Sequence, residues 1–393
     1  MRKIFAYAFM VSLSCLSVQA ESVENDVDAV NESVTESEVE SSGFLTQALN
    51  SAIEESVNGV EYGRKVTQFA SVPKFGGYAI GKYSYSDKFG EKGGDGFNSR
   101  LIRVYVDGTI LNDFKYRIQM ELNGDKKAHI KDVTLEWSKY KEFSVKVGQF
   151  KRCFTFENPY NPFDVGVGDY SQLAKKLSGF GDYCGEASMG GRDQGLQVAG
   201  DLFPVGEDKR RLLHYQLAVY NGQGINVKDA DGKKDLIGTL QFQVVKDLYV
   251  GVFGWDGQYT GSNGVTVDRH RYAFGAKYEH DGWTARGEYA HSQGHKVTDY
   301  DSSTGTWSGN GKADAWYATV GVPVNDWFKC YVKYDAYRDD ASWSTLKTIY
   351  TIAPNFQLHK NLMFQIQYNY VNDKTNATDR HYNEVWAETY FRF

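Results

Sequence analysis

The sequence is short of the residues that break or staple a fold: its 393 residues include only six prolines and four cysteines. Beyond its N-terminus it also has no uninterrupted run of about 18 apolar residues, which rules out a helical membrane protein. It lacks the basic excess that nucleic-acid binding would call for, since 44 Lys and Arg face 50 Asp and Glu. What it has instead is 40 Gly, 28 Tyr, 23 Phe and 8 Trp, a composition that is 15% aromatic and far from an ordinary globular mix. Aromatic and β-branched residues favour strands. A hydrophobic share of 41% excludes a collagenous or wholly disordered chain. Two classes survive: a soluble all-β protein, and a β-barrel that hides its membrane face in alternation.

Met1-Arg2-Lys3 is basic, Ile4 to Val18 is apolar, and Val18-Gln19-Ala20 supplies small residues for cleavage, so residues 1–20 are expected to be a secretory signal peptide. Cys15 has no leucine three positions before it, which argues against lipoprotein processing. Cleavage would leave Cys153, Cys184 and Cys330 in an oxidising compartment. Cys153 and Cys184 bracket one long irregular segment, and two readings stand open. They pair, closing a loop of about 30 residues and stabilising the fold by roughly 3–4 kcal/mol, or all three thiols are free and buried. Neither a CxxC nor a His/Cys cluster points to a metal, and no cofactor is expected.

Charge is unevenly spread. Glu21 to Ser42 holds eight acidic residues and no basic one; removing these and the signal's Arg2 and Lys3 leaves 42 of each sign from Gly43 onward, so the net charge of −6 describes a leader and not the body. Residues 21–73 are therefore expected to form an acidic periplasmic segment. It is either a solvated spacer or, through Val23, Val27, Val30, Val34, Leu45, Leu49 and Ile53, a short coiled coil.

From residue 74 to residue 393 the hydrophobic period is two. Phe114, Tyr116, Ile118, Met120 and Leu122 alternate with Lys115, Arg117, Gln119, Glu121 and Asn123; Leu362, Phe364, Ile366, Tyr368 and Tyr370 alternate with Met363, Gln365, Gln367 and Asn369. About sixteen strands are expected, starting near residues 76, 99, 114, 130, 143, 194, 211, 236, 248, 269, 283, 314, 327, 346, 361 and 382. Tight connections at 108–113, 138–142, 204–210, 246–247, 280–282, 323–326 and 355–361 alternate with longer polar ones at 87–98, 153–193, 221–235, 257–268 and 291–312. A sandwich has no reason to sort its loops in this way. A transmembrane antiparallel β-barrel with short periplasmic turns and long external loops does. Tyr368, Tyr370, Trp283, Tyr289, Trp327, Phe328, Phe391 and Phe393 place rings near strand ends, as interfacial girdles require.

Several local sequences carry a likeness. Val147-Gly148-Gln149-Phe150-Lys151, then Gly191-Arg192-Asp193-Gln194-Gly195-Leu196-Gln197-Val198, then Tyr215-Gln216-Leu217-Ala218-Val219-Tyr220-Asn221-Gly222-Gln223-Gly224-Ile225-Asn226 resemble the phosphate-selective porin O and P family, over a stretch running from about Gly76 to Phe393. The resemblance implies a sixteen-stranded homotrimeric porin in outer-membrane lipid, with a third external loop folded inward and basic residues passing small anions such as phosphate. The residues agree on one point of their own, because the 153–193 connection is by far the longest and a loop of that length is usually functional.

By strand parity Arg103, Lys115, Arg117, Lys146, Arg152, Arg271, Lys277, Arg286, Lys329, Lys333 and Lys347 face the lumen, with Lys175, Lys176 and Arg192 on or beside the long loop. About ten carboxylates share that parity, so anion preference would depend on where the cations gather. Lys115, Arg117, Lys146 and Arg152 are the candidate cluster; the alternative is a set of cations that only solvate the wall and pair across strands. A water-filled diffusion channel is the expected function. The competing classes are a barrel enzyme, for which His291-Ser292-Gln293-Gly294-His295 offers the only serine of interest, and a non-conducting adhesion barrel. Asp229-Ala230-Asp231-Gly232 reads as a turn, not as a calcium loop.

Overall fold

The structure is a computed structural model that describes residues 71–88, 95–122, 128–186 and 190–393. The signal peptide and the acidic spacer or coiled coil expected before residue 71 lie outside the described residues. The chain divides into two compact units: Met1–Val72 with Ile110–Asn112, nearly all outside the described residues, and Pro73–Thr109 with Asp113–Phe393, described below.

The second unit is a strand meander. In chain order it runs β1 (Lys74–Ser86), β2 (Gly96–Ile110), β3 (Phe114–Glu121), β4 (His129–Trp137), β5 (Ser144–Lys151), a helix α1 (Gln172–Leu177), β6 (Arg192–Val205), β7 (Arg210–Tyr220) and β8 (Asp235–Val245). It continues with β9 (Leu248–Thr260), β10 (Thr266–His280), β11 (Trp283–Gln293), a small hairpin of β12 (Tyr300–Asp301) and β13 (Thr306–Trp307), β14 (Lys312–Asn325), β15 (Phe328–Asp339), β16 (Leu346–His359), β17 (Leu362–Asp373) and β18 (His381–Arg392). Apart from β12 and β13, every strand pairs antiparallel with its neighbour in sequence, and β18 returns to β1, which closes a barrel of 16 strands. Closure leaves no free edge, so every strand finds a partner on both sides. Phe393 completes the seam by exchanging backbone hydrogen bonds of 3.0 Å with Gly77 in both directions.

Each expected strand start falls within three residues of an observed one. The hairpin between β10 and β11 shows why the short turns were legible. Asp281 and Gly282 both take positive φ, 46° and 80°, the backbone that a two-residue hairpin requires and that an Asp-Gly pair supplies. Some connections are shorter than expected: β9 and β10 extend to Thr260 and Thr266, leaving 261–265, and β16 and β17 leave only 360–361.

The alternation acquires a direction in three dimensions. Val332 is 54% exposed while Lys131 is 1% exposed, and this inversion holds around the wall. Leu135, Val147, Leu196, Leu240, Val252 and Ile352 face outward, whereas Glu121, Gln149, Arg192, Arg286, Asp335 and Gln365 are buried inside. Only a surrounding as apolar as lipid makes such an outer face favourable. Rings mark both ends of the apolar band. Trp327, Phe328, Phe356 and Phe364 pack ring on ring near the short turns, and Tyr334, Tyr350 and Tyr370 meet as tilted rings in series toward the other rim. The purified protein is expected to change electrophoretic mobility on boiling, as the closed wall unfolds; identical mobility before and after would contradict the barrel.

Candidate functional site

The site is the lumen crossed by the connection from β5 to β6, residues 152–191. This segment is rich in apolar side chains, and the inner wall carries matching ones. Phe154 and Phe156 pack edge-on against Trp255 and Phe253 of β9, with ring centroids 5.4 and 5.1 Å apart. Phe163 packs edge-on against Tyr390 of β18 at 5.2 Å and Tyr78 of β1 at 6.3 Å. Val165, Val167, Tyr170 and Ala174 cluster with Tyr331 and Ala353. The loop is folded inward.

A loop buried inside a barrel must find partners for its own backbone, and wall side chains supply them. Glu288 of β11 accepts from the Phe156 and Glu157 amides at 2.6 and 3.0 Å. Gln367 of β17 accepts from the Gly168 amide at 2.6 Å. Asn355 and Gln365 donate to the Gly166 carbonyl at 2.8 and 3.0 Å. Asp335 of β15 accepts from the Gln172 amide at 2.9 Å, at the start of α1, where Ser171 is the cap. Ser171 is in turn held by Glu157.

The far end of the loop is fastened by charge. Glu186 accepts from Arg152 at 3.1 Å and from Arg269 of β10 at 2.5 Å. Arg269 also reaches Asp235 of β8 at 2.5 Å, Arg152 reaches Asp193 of β6 at 2.7 Å, and Arg271 takes both oxygens of Asp182 at 2.7 and 2.5 Å. All three guanidinium groups lie on the ring of Trp255, at 4.9, 4.6 and 4.7 Å from its centroid. This is a buried, ion-paired clamp of loop to wall. In the loop, burial raises the Glu186 carboxyl above its ordinary range against the pull of Arg152 and Arg269.

The sequence-derived cations fall into different places. Arg103 pairs with Glu121 at 2.8 Å and donates to the Tyr78 hydroxyl at 2.9 Å; Arg192 pairs with Asp132 at 2.8 Å. Lys333 lies 3.7 Å from Asp335 and donates to the Asp169 carbonyl, Lys329 donates to Thr284 at 2.8 Å, and Arg286 donates to the Val165 carbonyl. Lys175 pairs with Asp169, and Lys176 is exposed beside it on α1. Burial alone would push the Asp169 carboxyl up, but Lys175 and Arg100 outweigh it and hold it down at about 2.

One sequence expectation needs correction, and one open choice is decided. Lys115, Arg117, Lys146 and Arg152 do not form one cluster. Arg117 pairs with Asp107 at 2.6 Å and Lys146 with Glu136 at 2.8 Å, near the short turns, and Lys115 is exposed opposite Glu136. Arg152 lies six residues beyond Lys146, about 20 Å along an extended strand, and belongs to the buried clamp. Cys153 and Cys184 are also not paired: both are free and buried. The first sets its sulfur 3.7 Å from the Ile237 carbonyl on β8, and the second sits 3.9 Å from Arg269 on β10.

Parity missed cations that bulges turn inward. The β1–β2 register skips Arg100 and the β3–β4 register skips Lys131; an extra residue in one strand re-aims its side chain. Arg100 thus reaches Glu388 at 3.1 Å and Lys131 reaches Glu121 at 3.2 Å. No hydrophobic pattern announces such a shift. The serine of interest is set apart from its histidines by the same alternation. Ser292 is buried against Arg271 Nε at 3.0 Å, His291 stacks with Tyr272, and His295 stacks with Trp307. Asp229 accepts from the Asp231 and Gly232 amides, as a turn does.

A closed antiparallel barrel, polar within, apolar without and crossed by its third external loop, is an outer-membrane barrel of porin architecture. The family likeness read in the sequence is borne out, since the profile of phosphate-selective porin O and P matches residues 77–200. Among solved structures the chain is similar to an anion-selective porin from Comamonas acidovorans (TM-score 0.62, 14% identity, 82% of this chain and 100% of that one). It is also similar to the trimer form of OmpT, an outer membrane protein of Vibrio cholerae (0.56, 12%, 83% and 100%), and to the outer membrane channel DcaP of Acinetobacter baumannii (0.58, 12%, 83% and 98%). No curated protein matches the chain.

Proposed function

We propose that the protein is a homotrimeric outer-membrane porin that lets small hydrophilic solutes diffuse passively and prefers anions, phosphate among them. The observation that carries this reading is the third loop, drawn across a polar lumen and fixed to the wall on both sides. A loop so placed narrows the path without closing chemistry of its own, and solutes pass by weak, reversible contact. The trimer is supported by the trimer form of the Vibrio neighbour.

Anion preference is supported by a group that the sequence only half revealed. Lys175 and Lys176 on α1 stand with Lys82, Arg100 and Lys347 on the wall. Lys82 and Arg100 share Glu388 at 4.0 and 3.1 Å, Arg100 is 3.8 Å from Asp169, and Lys347 is 3.1 Å from Asp373. Glu388, Asp169 and Asp373 pair with four of these five cations, and Glu384 and Asp339 also act on Lys82 and Lys176. Lys176 is exposed on the loop, and a narrow site between low-dielectric walls magnifies such a charge.

Planar-bilayer recording in a potassium chloride gradient tests both parts. Channel events with an anion-selective reversal potential are expected, and the double change Lys175→Glu, Lys176→Glu is expected to move that potential toward cation selectivity by tens of millivolts, on the order of a several-fold change in permeability ratio. No events would overturn the porin reading. An unmoved potential would remove α1 from the selectivity site.

A further inference from the structure

We propose that the wall beneath the third loop holds a binding station for a small monocarboxylate, between Lys277 of β10 and Arg286 of β11. The station deepens the porin reading and rests on it. Lys277 and Arg286 are direct cross-strand partners, and both cations lie on one ring, that of Tyr160 in the third loop, at 5.7 and 4.6 Å from its centroid. The Lys277 ammonium also sits 5.3 Å from the Phe156 ring and 5.0 Å from the Tyr249 ring. No hydrogen bond or ion pair engages it among the described residues.

Arg286 is 4% exposed, yet only Nη2 is used, on the Val165 carbonyl; its Nε and Nη1 are buried without a hydrogen-bond partner. Buried donors in native proteins are nearly always matched, so unmatched ones on a charged group mark a place where something else binds. Protein carboxylates do not fill it. Glu279 stays 3.9 Å from Arg286 Nη1 and is occupied by the Tyr160 hydroxyl at 2.9 Å. Glu288 is committed to the loop amides and to the Tyr317 hydroxyl at 2.7 Å. Two cations on one ring, with two guanidinium nitrogens that make no hydrogen bond and a single carboxylate whose 3.9 Å contact is too long to supply one, call for an oxyanion.

The surroundings select its kind. Arg286 Nε and Nη1 with the Lys277 ammonium supply the few charge-assisted bonds that a planar carboxylate needs. A phosphate dianion has more acceptor sites than these donors can meet, and Glu279 repels its second charge. The flanking Tyr160 and Tyr249 rings offer an apolar surface to a short carbon chain.

The test is chloride current through the purified protein in planar bilayers, titrated with sodium butyrate and, separately, with inorganic phosphate. Butyrate is expected to depress the current at lower concentration than phosphate. Lys277→Gln is expected to raise the butyrate concentration needed by about tenfold, the loss of one charge-assisted contact. Arg286→Lys should act in the same direction, but Arg286 also holds the loop, so Lys277→Gln is the deciding variant. Equal butyrate block in wild type and Lys277→Gln overturns the station, and stronger block by phosphate than by butyrate overturns its carboxylate assignment. If no channels open, the porin reading has failed by itself. Calorimetric titration of butyrate into detergent-solubilised protein still reads the station, and absence of saturable heat that depends on Lys277 overturns it.

Discussion

Replacing Arg269 by leucine is expected to free the base of the third loop and to destabilise the barrel by about 3–5 kcal/mol, the cost of breaking a buried ion pair from one side. Arg269 is fully buried. It serves Glu186 of the loop, Asp235 of β8 and the Gly222 carbonyl, each at 2.5 Å. Without it, Arg152 and Arg271 alone would face Asp182, Glu186, Asp193 and Asp235, so two buried cations would stand against four carboxylates. Leucine covers part of the apolar stem but cannot neutralise Glu186 or stack its charge on Trp255. The measurements are the denaturant midpoint of the barrel and the rate of protease cutting within 152–191. A lower midpoint together with faster cutting is expected. Arg269→Lys should recover only part of the loss, because an ammonium cannot reach Glu186 and Asp235 as a planar fork does. Unchanged midpoint and cutting in Arg269→Leu would show that apolar packing of Phe154, Phe156 and Phe163 holds the loop alone.

Gly148→Ala is expected to abolish assembly of a heat-modifiable barrel. Gly148 lies in β5 at φ 123°, a backbone region that costs a residue with a Cβ roughly 1–3 kcal/mol. The larger penalty is contact, because a Cβ there would meet the Val133 carbonyl oxygen of β4 at 2.0 Å. That atom belongs to the neighbouring backbone, so relief means shifting the β4–β5 ladder in which Thr134 opposes Gly148. Gly254→Ala is the matched comparison, since a Cβ there meets nothing within 4 Å, and that variant is expected to shift on boiling as wild type does. A folded Gly148→Ala barrel of normal midpoint would refute the close-approach argument. The position falls inside Val147-Gly148-Gln149-Phe150-Lys151, one of the segments that carried the family likeness.

The strands were legible because their cause is local. Alternation at Phe114 to Leu122 and at Leu362 to Tyr370, with Asp281-Gly282 at a tight turn, depends on each residue's neighbours and on the period of an extended chain. Loop sorting, and with it the rim that carries the long connections, followed from the same local signals. The pore-lining group was only partly legible. Arg103, Arg271, Arg286 and Lys333 were placed inside by parity, but Arg100 and Lys131 were not, because a bulge depends on the partner strand's register.

The sequence by itself determined a sixteen-strand alternation, the rim that carries the long connections, and the one loop long enough to enter the lumen. Only the tertiary structure decided which carboxylate each cation meets and which cations are spent on holding that loop. Arg152 and Arg271 looked like pore charges and are clamps, while Lys82 and Arg100 were overlooked and meet at Glu388, with Arg100 and Lys175 both beside Asp169 of the loop. The reason is physical. Alternation is written within one strand, whereas charge compensation is settled between strands and across the barrel, by contacts such as Arg152 with Glu186, 34 residues apart, and Gln172 with Asp335, 163 apart.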